Sequence, residues 1–180
     1  MSVLDCFRLA LLDEKNDRKH KGLLIVKPDD IMAQAYIAKA RKNLELCDVY
    51  REGGYDYKIP EEWYYTLYYC ALAILAKFGV ESRSQKCTAA FLRHVKDAGL
   101  IDYDAEFIDR ITVYRDKDTT TDVDEREKAR YGASTRSEEI GAKYERMTTL
   151  CKQAIAQAET IVYTDKTLEI PRELTETKLR

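Results

Sequence analysis

The run WYYTLYYCALAILAKF, residues 63–78, constrains the fold more than any other part of this chain, since no charge interrupts it before Lys77. A helix that spans a bilayer needs about 20 mainly apolar residues, and shorter apolar runs more often belong to buried helices. Glu61 and Glu62 stand directly before the run and Lys77 breaks it, so the segment reads as a core helix rather than a membrane span. Pro60 suits the first turn, where a missing N–H leaves nothing unpaired, and Gly79 ends the helix. Leu67, Cys70, Ile74 and Phe78 form one apolar ridge, with Ala71 and Leu75 beside it. Tyr64, Tyr65, Tyr68 and Tyr69 ring the first half. A helix apolar on more than one face belongs at the centre of a bundle. Tyrosine can bury its ring and leave its hydroxyl on water or on a partner, so these four residues are expected to form a homodimer seam.

The rest of the chain carries the same period of 3.6 residues. Asp29 or Asp30, after Pro28, is placed to cap a helix whose buried face is Ala33, Ile37, Ala40, Leu44 and Cys47. Gly53 and Gly54 close it, because glycine accepts the positive φ of a C-cap. After the polar corner ESRS, Ala89, Leu92 and Val95 share one side of a helix that stops at Gly99. Asp102 is the expected cap of a short helix lined by Phe107, Ile111 and Tyr114. Ile140, Tyr144, Met147, Cys151, Ala154, Ala158 and Ile161 predict a long last helix, with Thr135 and Glu138 in the form of a capping box.

These signals predict four main helices, near 30–51, 60–78, 85–98 and 137–163, and a shorter one near 103–115. The fold class is all-α, a four- to five-helix bundle. Residues 1–28 hold two apolar patches around a charged run and read as an N-terminal arm. Residues 29–164 form the helical domain, and 165–180 a polar tail expected to add little to the core.

The chain has 30 basic and 32 acidic residues, a formal net charge of -2. Any contact with a phosphate backbone therefore has to come from a local basic face. Neither a hydrophobic leader nor a membrane segment is legible, which points to a soluble, cytoplasmic protein. Cys6, Cys47, Cys70, Cys87 and Cys151 lie far apart, without the CxxC spacing of a redox or zinc pair. Cys47, Cys70 and Cys151 fall within apolar helical patterns, so small core side chains in a reducing compartment are expected. Residues 116–127, DKDTTTDVDERE, space their oxygens as in a calcium-binding loop, but Thr121 stands where glycine makes the central turn. A solvated acidic connection is the expected reading, and no metal or other cofactor is assigned. His20 and His94 are the only histidines, and no GxSxG or HExxH motif is present. No catalytic residue is assigned.

The residues that carry chemistry are basic. Arg83 and Lys86 sit at a helix entrance, where backbone N–H groups favour anions. Arg126 and Arg130 stand one helical turn apart, and Tyr131 after them can stack or donate a hydrogen bond. Arg83, Lys86, Arg126, Arg130 and Tyr131 are the candidate nucleotide- or RNA-binding set. The alternative is solvated surface charge.

ARKNLELCDVYREGGY, then EEWYYTLYYCALAILAKFGVESRSQK, then REKARYG, taken in that order over roughly residues 31–163, resemble the HEPN family of small helical proteins. The resemblance implies a helical bundle, usually dimeric, that binds nucleotides or RNA, acts in a toxin–antitoxin pair, or partners a small nucleotidyltransferase. Family ribonucleases carry an arginine, four to six residues and a histidine on a late helix, whereas this chain has no histidine after His94. Ser84 is followed by Gln85 where the family has a histidine, and Arg130 precedes Tyr131 where many relatives have aspartate. The expected function is a non-catalytic or degenerate HEPN-like module that binds a nucleotide, an RNA phosphate or a protein partner. Its alternatives are a divergent, metal-independent ribonuclease of a toxin–antitoxin pair and a scaffold for a nucleotidyltransferase.

Overall fold

A computed structural model describes residues 2–112, 126–127 and 137–175, and these are mostly helical. In chain order the elements are α1 (Val3–Lys15), β1 (Leu23–Ile25), α2 (Asp30–Glu52), a 3-10 turn (Asp56–Lys58) and α3 (Ile59–Phe78). They continue with β2 (Val80–Ser82), α4 (Gln85–Asp97), α5 (Ala105–Arg110), α6 (Ser137–Val162) and α7 (Arg172–Thr175). The connection 53–58 turns α3 back along α2 as a helical hairpin. That hairpin is the most extensive contact in the molecule, and α6 packs on both its helices. α4 covers another side of α3, with α5 behind it. This is the all-α bundle that the apolar periodicity predicts.

α3 lies at the centre because its sequence offers no polar face. Trp63, Tyr64, Leu67, Cys70, Ala71, Ile74, Leu75 and Phe78 are buried, and none of its residues is exposed. The one buried hydroxyl of a threonine there, Thr66 Oγ1, donates back to the Glu62 carbonyl at 2.8 Å. The chain itself covers most of α3, and part of the tyrosine face stays open to solvent or a partner. Tyr64 is wholly covered, while Tyr65, Tyr68 and Tyr69 are half-buried. Exposed apolar side chains lie instead on α2, at Ile31, Met32, Leu46 and Val49.

The helix ends follow local chemistry. Asp29, rather than Asp30, caps α2, its Oδ1 accepting from the Met32 N–H at 2.8 Å. Asp30 is left to pair with Lys77 Nζ at 2.9 Å. Gly79 is left-handed, at φ 75°, and a Cβ on it would come within 2.5 Å of the Val26 carbonyl. Both facts demand glycine. The short helix is smaller than the 103–115 expected, and its cap position is Asp104, not Asp102. The Asp104 carboxylate is taken by the Gln157 amide at 2.8 Å, so it makes no side-chain cap. Tyr114 and Thr135 lie outside the described residues.

The described residues of both flanking segments contribute to the core. β1 pairs antiparallel with β2, Leu23 opposite Ser82 and Ile25 opposite Val80. Val3, Cys6, Phe7 and Leu23 join the same core as the bundle, and Phe7 meets the ring of Phe91 edge-on at 6.5 Å. Leu174 of α7 is also buried, against the expectation for a polar tail. Cys6 and Cys87 form a disulfide, their Cα atoms 5.7 Å apart, a pairing that the expectation of a reducing compartment did not include. Cys47, Cys70 and Cys151 are buried and outside the disulfide, as expected. Among the described residues no helix is long and apolar enough to cross a membrane.

Candidate functional site

Helical spacing builds an aromatic cluster on α3. Residues four apart share a face, so Tyr64 stacks on Tyr68 and Tyr65 on Tyr69, each pair with centroids 5.8 Å apart. Tyr64 meets Tyr65 edge-on at 5.3 Å. The hairpin brings Tyr36 of α2 onto Tyr69, 6.1 Å away and nearly parallel.

A cation lies at each side of the cluster. Lys39 Nζ is 4.4 Å from the centroid of Tyr69, and the guanidinium carbon of Arg126 is 4.6 Å from that of Tyr64. Both distances fall within the range of a cation–π contact. The hydrogen bond to Tyr69 raises the Lys39 pKa above its ordinary value. Burial raises the phenols of Tyr64 and Tyr68, so both remain neutral hydrogen-bond donors near pH 7.

The cluster reaches the entrance of α4. Tyr68 interacts with the Thr88 side chain, and Thr88 Oγ1 donates to the Ser84 carbonyl at 3.0 Å. Ser84 caps the helix, its Oγ accepting from the Cys87 N–H at 3.3 Å. Arg126, Tyr64, Tyr68 and the first turn of α4 are therefore linked by successive contacts.

The predicted binding set divides under this geometry. Arg126 is buried, 9% exposed, with Glu127 as a neighbour at 3.4 Å from its Nη2. Its Nε and the Tyr64 hydroxyl are both buried without a hydrogen-bond partner among the described residues. Arg83 is committed elsewhere, its Nε donating to Glu81 Oε1 at 2.7 Å. Burial acts to raise the Glu81 pKa, but hydrogen bonds from Arg83 and His20 outweigh it and hold the carboxyl below its ordinary range. Lys86 is partly exposed in the first turn of α4. Arg130 and Tyr131 lie outside the described residues, as does the acidic stretch 116–125.

Tyr36 and Lys39 were missed by sequence reasoning. They sit three apart on α2, flanking its buried face, but only the closed hairpin sets them against Tyr69. An open cleft of about 330 Å³ between α2 and α6 was also missed. It carries both charge signs on its rim, where Arg41 pairs with Glu159 and Tyr144 donates to Asp48.

The histidines are held by carboxylates. His20 Nε2 lies 3.1 Å from Glu81, and His94 Nε2 lies 3.2 Å from Glu173. Among the described residues no group of three or more His, Cys, Asp or Glu could hold a metal ion. The class that the fold defines is an all-α bundle. No protein-family model matches this chain, and neither a curated protein nor a solved structure matches it.

Proposed function

We propose that this protein is a non-catalytic, HEPN-like module that binds the phosphate of a nucleotide or of single-stranded RNA at Arg126. One observation carries the reading. The buried guanidinium of Arg126 rests on Tyr64, and Arg126 Nε and the Tyr64 hydroxyl are both buried donors without a partner among the described residues. Buried donors are rarely left unpaired, and a phosphate oxygen accepts from arginine and phenol alike. The half-buried tyrosines and Lys39 beside it supply further donors and ring surface for the same ligand.

Titration of the purified protein with short single-stranded RNA and with common nucleotides, at 50 and 200 mM salt, tests the reading. Arg126→Gln removes the charge and is expected to weaken binding about 10- to 100-fold, the loss of one charge-assisted hydrogen bond. Equal binding by this variant, with helix content intact, contradicts the site. The proposal includes no RNA cleavage, because both histidines are paired with carboxylates and neither stands in the arginine–histidine spacing of the family ribonucleases. The homodimer and the nucleotidyltransferase partner remain parts of the HEPN-like reading, and light scattering over a concentration series is expected to report twice the chain mass.

A further inference from the structure

We propose that Cys6 and Cys87 form a reversible redox latch that fastens the N-terminal helix to the bundle. The inference does not depend on the anion site. Its starting point is that the five cysteines fall into two chemical classes. Cys47, Cys70 and Cys151 are buried thiols inside the bundle that form no disulfide. Burial, with Glu62 and Asp48 nearby, pushes the Cys47 thiol up to about 12, and burial raises Cys70 as well. Thiols held protonated in this way are poor nucleophiles and do not exchange.

Cys6 and Cys87 are placed differently. They come from positions 81 residues apart and join α1 to the first turn of α4. The backbone N–H groups of a helix N-terminus stabilise a thiolate, and Cys87 occupies that turn, its own N–H held by the Ser84 cap. Cys87 is therefore the better leaving group when the bond is reduced and the better attacking group when it forms.

Cys6 and Cys87 are both buried at the edge of the core, so the bond opens only when α1 moves. α1 packs chiefly on β1, α4 and α7 rather than on the α2–α3–α6 centre. It buries Val3, Cys6, Phe7, Ala10 and Asp13 along one side. At 13 residues it is too short to be a stable helix alone in water, so the covalent bond and this one narrow face hold it in place. Lifting α1 uncovers both sulfurs.

The chemistry closes as a dithiol–disulfide exchange. A thiolate of a dithiol reductant attacks Cys6 Sγ, the Cys6–Cys87 bond breaks, and Cys87 leaves as a thiolate. The reductant's second thiolate then displaces Cys6, closing its own disulfide. Two electrons pass from the dithiol to the cystine, and two protons end on Cys6 and Cys87. A low-molecular-weight disulfide reverses the sequence.

The full chain is equilibrated under native conditions with oxidised glutathione or with dithiothreitol, quenched in acid, denatured, alkylated and weighed. The latch predicts three alkylated thiols after the first treatment and five after the second. Reduction is expected to lower the urea midpoint by about 1–2 M, the effect of releasing a long closed loop. Cys6→Ser and Cys87→Ser should each abolish the redox dependence of that midpoint, while Cys47→Ser keeps it. Five thiols under both conditions overturn the bond. Three thiols that dithiothreitol frees only after unfolding overturn the latch and leave a permanent staple. The wild-type thiol count decides between these outcomes even if the serine variants fail to fold.

Discussion

α3 and α1 are both helices with buried apolar faces, and they are held by opposite means. α3 has 20 residues, none of them exposed, and neighbours on every side. Its position comes from the sum of many individually weak apolar and dispersion contacts. α1 is an edge element of 13 residues, fixed along one face and by a single covalent bond to α4. A position set by many small contacts is written as a pattern, which a substitution degrades gradually. A position set by one bond between residues 81 apart is written as two letters and is lost in one step.

The largest expected effect falls on the centre. Trp63 is 2% exposed and packs on Tyr144, with ring centroids 5.9 Å apart. Trp63→Ala is expected to destabilise the protein by about 3–5 kcal/mol in urea unfolding, whether the cystine is oxidised or reduced. A loss that depended on redox state would tie centre and edge together and break the distinction.

Gly79 is where the two regions touch. Alanine there pays for a left-handed backbone, about 1–2 kcal/mol, and also pushes on the Val26 carbonyl that follows β1. Gly79→Ala should therefore lower the urea midpoint by more than the backbone term alone. It should also weaken the strand pair, read as faster amide exchange at residues 23–25. A smaller effect comes from Ser84→Ala, which removes the cap of α4 beside the latch. It is expected to cost about 1 kcal/mol in the same assay.

The smallest effect is a pH dependence at the edge. Glu81 is held below its ordinary value of 4.5 in the folded state by Arg83 and His20. A carboxyl depressed by folding adds stability above its unfolded pKa and loses it as pH falls through the folded one. Acid should thus weaken the strand pair below about pH 4.5. Because Glu81 is 42% exposed, solvent screening keeps the contribution small. Glu81→Gln is expected to flatten that part of an acid titration, and an unchanged curve would remove Glu81 from the account.

How far the sequence was legible follows the same division. Pro60, Gly79 and the ridges of α3 predicted that helix to within one residue, and the α2 face at Ala33, Ile37, Ala40 and Cys47 is buried as the period required. Local spacing carried those signals. Periodicity shows that the tyrosine face is apolar but not which chain covers it, and Tyr65, Tyr68 and Tyr69 are left half-buried. The strand pair was missed because three residues on each side are too few to display alternation, and ESRS, residues 81–84, reads as a polar corner. Cys6–Cys87 was missed because no spacing marks a pair that only the fold brings together. At the candidate site, Arg126 was legible as a charge one helical turn from Arg130. Its burial on Tyr64 and the contribution of Lys39 through Tyr69 depend on helices meeting in space.

Amide hydrogen exchange, followed by mass spectrometry with and without dithiothreitol, tests most directly whether centre and edge are held separately. Local opening of an edge element is visible there without global unfolding. The account predicts that reduction speeds exchange at residues 3–15 and 23–25 and leaves residues 59–78 as slow as before. Equal acceleration of all three segments, or none anywhere, would contradict it.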